Sequence, residues 1–165
     1  MKSNTTLSRT RNREKSLNSF AKKITLAFDS GCVGGLLNSL SVWLFGAIGI
    51  TTLFGVKIAP AFTLSWLYPR IIWGGIWGLL FILPFHKRKI IPCSFLYSLF
   101  PSLVQMFIVF PLKANKGIMG VDLGSLTPVF IIFFNFVWGI SAALWLNFIS
   151  AKPKSYNPSF ITLGK

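Results

Sequence analysis

Apolar residues along this chain come in long unbroken blocks, without the polar face of a soluble amphipathic helix. Residues 30–56, 90–112 and 123–151 contain no charge, and the block 58–85 is interrupted only by Arg70. Each block exceeds the ~18 apolar residues that suggest a membrane-spanning helix. The pattern predicts an all-α integral membrane protein, a bundle of four transmembrane helices with spans at about 26–49, 64–85, 90–112 and 128–149.

Small and polar residues recur every fourth position within these blocks. Span one carries Gly31, Gly35 and Ser39, with Asn38 beside them and expected to bond across to another helix. Span two carries Gly74 and Gly78, with Trp73 and Trp77 one step behind. Span three carries Ser94, Ser98 and Ser102, with Gln105 continuing on that side, and span four carries Asn135, Gly139, Ala143 and Asn147. Such spacing lines one helix face, and small-residue faces let backbones approach where lipid provides no hydrophobic force between helices. Packing seams are the first reading of these stripes; the same pattern also suits the lining of a substrate path. Pro101 should bend span three, with a hydroxyl at Ser98 or Ser102 available to the freed carbonyl. Pro128 suits a first turn.

Charge orients the spans. Composition is 53% hydrophobic and 12% charged, well under the ~25% charged content of a soluble domain. The net charge of +14 suggests nucleic acid until the cations are placed. Lys2, Arg9, Arg11, Arg13, Lys15, Lys22, Lys23, then Lys87, Arg88, Lys89, then Lys152, Lys154 and Lys165 fall at one membrane face. The other face receives only Lys57, Lys113 and Lys116. Short loops rich in Lys and Arg stay cytoplasmic, so both termini are expected inside, and the alternation requires an even number of spans. The expected location is a bacterial inner membrane; an organellar membrane is the alternative, because the Arg- and Ser-rich start resembles a transit peptide. Residues 1–25 read as a basic disordered cytoplasmic tail, 26–151 as the transmembrane domain and 152–165 as a second basic tail. The expected partners are the bilayer, with anionic lipid at its cytoplasmic face, and this chain itself or other membrane proteins; nucleic acid is not expected. Cys32 and Cys93 read as small hydrophobes at the reducing face.

Arg70 is the one cation inside a block. The stretch 71–85 covers only about 22 Å as a helix, so span two either begins near Leu64, with Pro69 inside it, or begins at Pro69 and is short. In the second case residues 58–68 form an interfacial or re-entrant piece. Trp66 and Tyr68 read as an aromatic belt, and Asp122, the only acid expected at that face, reads as the partner of Arg70 with Lys57 competing. A shift of 65 residues also places "GVKI" at Gly55 over "GVDL" at Gly120 and "WG" at Trp73 over "WG" at Trp138, which suggests two parallel-repeat helix hairpins.

Reactive chemistry is sparse. The acids are Glu14, Asp29 and Asp122, and the one histidine is His86. No zinc helix, phosphate loop or nucleophile elbow is present, so neither a catalytic residue, a metal nor a cofactor is expected. Asp29 lies about 9 Å beyond Lys23 on a continuous helix, which places it at the interface as a helix cap. Four short helices with one acid in the first span resemble small multidrug transporters in architecture alone, since their acid lies deep in the span. Abundant packing chemistry with little reactive chemistry favours a non-enzymatic assembly or accessory subunit that packs through its seams. The alternative is a small transporter or channel using Asp29, Asn38, Arg70, Gln105 and Asn135 as polar contacts.

Overall fold

A computed structural model describes residues 3–83 and 90–150. All regular structure among them is helical. Helix α1 spans Ser3–Ala47 and α2 spans Leu64–Gly78, continuing as a 3₁₀ stretch over Leu79–Ile82. Helix α3 spans Ile90–Val104 and widens into a π-helical stretch over Gln105–Lys113, and α4 spans Thr127–Ser150. Three helical segments are long and apolar enough to cross a membrane: Arg11–Ala47, Ile90–Lys113 and Thr127–Ser150. The α-helical part of α2 has only 15 residues, below the ~17–25 of a usual span. Its 3₁₀ extension brings the rod to roughly 30 Å.

Two expectations are corrected. Residues 3–25, read as disordered, continue α1 as helix. The chain has no Gly or Pro before Gly31, and extending a helix already nucleated by the apolar segment avoids the costly first turn. Asp29 is therefore no N-cap but an exposed mid-helix residue. At the other ambiguity, α2 begins at Leu64, capped by Thr63, whose side chain accepts from the Trp66 N–H at 3.3 Å. Pro69 and Arg70 then lie inside the helix, Arg70 about 9 Å from its start. The cationic segment 86–89 and the tail 152–165 lie outside the described residues.

The helices pack in the order α2, α1, α4, α3. Glycines make the first contact: a Cβ on Gly74 would lie 2.8 Å from Gly35 Cα, and one on Gly31 would lie 2.7 Å from Gly78 Cα. No side chain fits between these backbones. Gly139 of α4 meets Ser94 and Ser98 of α3 in the same way, its missing Cβ 2.6 Å from the Ser94 carbonyl. The stripe on α3 runs Ser94, Ser98, Ser102, Met106, Phe110, all buried. Its hydroxyls bond the carbonyls of Ile90, Phe95 and Ser98, so they do not reach Tyr97, the carbonyl that Pro101 frees. Ala143 is buried beside Cys93, Tyr97 and Trp138.

Polarity is inverted relative to a soluble bundle. Ser30, Ser39, Ser94, Ser98, Ser102 and Asn135 are buried, whereas Leu36, Leu37, Trp73, Phe100, Leu144 and Phe148 are exposed. At one end, Phe81, Tyr97 and Trp138 interlock, with ring centroids 5.0 and 5.9 Å from Phe81, and join α2 to α3. At the other end lie the connections 48–63 and 114–126, tied where the Lys57 N–H donates to the Leu123 carbonyl at 2.7 Å. These connections do not share a path. After Gly55 the chain is non-helical up to α2, whereas Gly120 lies inside a 3₁₀ turn, and Val56 is buried while Val121 is exposed. Only the left-handed backbone of Gly55 and Gly120 is common to both, so the 65-residue offset does not persist as a structural repeat here.

Gly74→Val should destabilise the protein by about 1–3 kcal/mol, since backbone faces the new side chain. Detergent-unfolding midpoints compared with exposed Leu37→Ala measure this, and equal midpoints for the two variants would contradict the seam.

Candidate functional site

The glycine contact between α1 and α2 determines which side chains meet one turn further along. Ser39 follows Gly35 by four residues and Arg70 precedes Gly74 by four, so both continue their helix's stripe. The Arg70 Nε–H donates to Ser39 Oγ at 3.0 Å, and its terminal N–H donates to Asn38 Oδ1 at 3.3 Å. Ser39 in turn donates to the Gly35 carbonyl at 2.7 Å. The guanidinium lies over the Trp66 ring, 4.7 Å from its centroid, which adds a cation–π contact.

From Asn38 the hydrogen bonds cross the bundle. Asn38 Nδ2–H donates to Asn135 Oδ1 at 3.4 Å, and Asn135 Nδ2–H donates to Gln105 Oε1 at 3.4 Å. One residue from each helix thus forms a chain from Arg70 to Gln105. Its direction is dictated by arginine, which can only donate. Asn38 must present oxygen to Arg70 and hence nitrogen to Asn135, which repeats the orientation towards Gln105. The layer lies between two apolar clusters, one around Trp138 and Phe81, the other around Met106, Phe110 and Ile131.

Above this layer, towards the connections, is a cavity of about 290 Å³. Its polar lining is Asn38, Arg70, Gln105, Asn135 and Lys57; Val42, Trp66, Phe110, Ile131 and Phe134 are among its apolar walls, and no acid is among the described residues that line it. That size is at the small end of the ~300–1,000 Å³ usual for ligand pockets, with the usual mixture of apolar wall and few polar groups. The cavity exists because α2 and α3 touch through the Phe81–Tyr97 pair at the far end but are bridged only by long hydrogen bonds here.

Of the candidate polar residues, Asn38, Arg70, Gln105 and Asn135 come together, whereas Asp29 and Asp122 do not. Asp122 is exposed, its carboxylate against Gly117 within its own connection, and no ion pair joins it to Arg70 among the described residues. The expected Arg70–Asp122 pair is replaced by Ser39, Asn38 and Trp66. Gly31, Gly35, Gly74, Gly78, Ser94, Ser98 and Gly139 lie in helix contacts as their spacing suggests. Two contributors went unread. Lys57 reaches the cavity through the non-helical connection, for which no periodicity exists. Trp138 is buried and its indole N–H is shared between the carbonyls of Gly31 at 3.2 Å and Gly74 at 3.3 Å. Its position next to Gly139 was the available signal.

Comparison with protein-family models, with curated proteins and with solved structures finds no match to this chain.

A double-mutant cycle of Asn38→Ala and Asn135→Ala should give a coupling of about 0.6 kcal/mol, the usual size of an interhelical hydrogen bond in a membrane protein. Strict additivity in detergent-unfolding free energies would show that the two amides do not cooperate.

Proposed function

We propose that this is a non-enzymatic, four-span inner-membrane protein that binds a small polar solute in the cavity above Arg70, as a small transporter or channel does. The observation that carries this reading is the cavity itself, floored by one polar side chain from each of the four helices and including an arginine without an acidic partner. A polar residue inside an apolar bundle is costly, and ionisable groups at such depth mark solute or ion pathways. Helix α2 acts as the fourth span, its 3₁₀ end extending the short α-helical part. The distribution of Lys and Arg puts both termini in the cytoplasm and the cavity mouth, with Lys57, at the outer face. The basic part of α1 before residue 24 then lies at the inner face, where anionic lipid attracts it.

The reading as an assembly or accessory subunit is second. Its motive was a set of small-residue seams available to partners, and those seams are filled from within the chain. A partner would meet the exposed Leu, Phe and Trp perimeter, which lipid covers equally well.

Val42 lines the cavity wall. In a chain with Cys32 and Cys93 replaced by alanine, Val42→Cys should react with a membrane-impermeant thiol reagent added outside intact cells, whereas Leu144→Cys on the lipid-facing perimeter should not. Labelling of neither residue, or of Val42→Cys only from the cytoplasmic side of inverted vesicles, would refute an outward-open solute site.

A further inference from the structure

The direction of the hydrogen-bond chain assigns the cavity a ligand chemistry, on the reading that it is a solute site. Arg70 carries five N–H donors. One is directed to Ser39 and one to Asn38, and the guanidinium face is held by Trp66. At the far end, Gln105 accepts from Asn135 through Oε1, which turns its NH₂ group away from the chain as a pair of donors. Between these ends Asn38 and Asn135 use oxygen and nitrogen on each other. The groups left to a ligand are donors at both ends of the floor, and Lys57, a further cation, is among the lining residues. No carboxylate is among the described residues that line the cavity.

We propose that the cavity binds a small organic anion: one carboxylate- or phosphate-type head between Arg70, Gln105 and Lys57, carrying a short apolar or aromatic body. A fixed guanidinium with unused donors suits an oxyanion, because its planar fork matches two oxygens at once and its orientation is set before binding. The walls at Phe110, Phe134 and Ile131 suit an apolar body, and about 290 Å³ excludes a large one. A cation is disfavoured on the same grounds, since Arg70 and Lys57 are the charged residues of the lining. The head can belong to a dissolved solute or to a lipid whose headgroup enters between α2 and α3; both offer the same oxygens.

The test is calorimetric titration of the full chain in phosphatidylcholine nanodiscs with benzoate, and with benzamide as its neutral counterpart. Benzoate should bind at least tenfold more tightly than benzamide. Arg70→Gln should lower benzoate affinity at least tenfold, and Lys57→Gln, at an exposed position, should lower it several-fold. Loss of benzoate binding when phosphatidylglycerol is included identifies a lipid head as the natural source; unchanged binding identifies a dissolved anion. Equal affinity for benzoate and benzamide, or full benzoate affinity in both variants, would overturn the proposal. So would the failure of benzoate and of inorganic phosphate to bind in either lipid. If Val42→Cys is labelled from outside and no anion binds, the anion inference falls while the solute-site reading stands; if it is not labelled, that reading falls itself.

Discussion

The close approach of α1 and α2 is the constraint from which the rest of the structure follows. Gly31 and Gly35 meet Gly74 and Gly78 with no room for a Cβ on either side. In lipid the gain from such contact is van der Waals attraction between backbones and the polar bonds it permits, because apolar burial provides no net drive between helices. Two side chains make such bonds at the crossing. The Trp138 indole N–H reaches carbonyls on both helices, tying α4 to the pair, and one turn away Arg70 reaches Ser39 and Asn38. Separate the backbones by the width of a methyl group and these bonds cannot all keep their length.

The arginine is tolerated for reasons of geometry rather than charge pairing. Its neighbours are a hydroxyl, an amide oxygen and an aromatic face, none of them negative. A guanidinium is more weakly hydrated than an ammonium, so it loses less on leaving bulk water, and its side chain is fixed at two nitrogens and one face. What remains unsatisfied is the charge itself. A bundle that only needed to pack would have placed Leu at residue 70, and the chain of amides behind it would have no donor to set its direction.

Much of this was legible in the sequence because a four-residue spacing maps onto one face of a helix. Gly31, Gly35, Gly74, Gly78, Ser94, Ser98 and Gly139 all lie in contacts for that reason. Continuing the same spacing one step, from Gly35 to Ser39 and from Gly74 back to Arg70, would have found the arginine's partner. Elimination points instead to Asp122, the sole acid expected at that face. That reasoning fails because a connection has no period to place its side chains, and left-handed turns at Gly117, Met119 and Gly120 curl this one over itself. The helical start of α1 was hidden for a different reason. Composition weighs what a segment can bury, but a segment attached to a spanning helix needs only to propagate it. The 3₁₀ end of α2 and the π-helical end of α3 leave no signal in residue spacing either; Pro101 and Pro111 suggest irregularity without saying of which kind.

The two ends of the bundle are built differently, and the difference places the site. At one end Phe81, Tyr97 and Trp138 fill the space between α2, α3 and α4 with rings, and the Tyr97 hydroxyl donates to the Leu83 carbonyl at 3.4 Å. Their interlocking leaves a smaller cavity at this end, about 160 Å³ against about 290 Å³, with Phe81, Cys93, Tyr97 and Ala143 among its walls. At the other end the wider turns of α3 begin at Gln105, the last member of the amide chain. Turns of this kind are rare and recur at functional sites, where the extra residue changes which side chain faces inward. Beyond Gln105 the stripe continues as Met106 and Phe110, so the amide faces the cavity from the edge of an apolar wall. The connections above are joined to each other by the Lys57–Leu123 backbone bond, with Gly124 against Gly55 where a side chain would collide, and the Thr51 hydroxyl donates to the Ile58 carbonyl within the first. The mouth of the cavity is therefore pinned at main-chain positions, and Lys57 stands at its rim on backbone that is itself fixed. A floor bonded across four helices and a mouth held at main-chain positions would order the proposed anion site before a ligand arrives, which is the condition under which a few donors bind well.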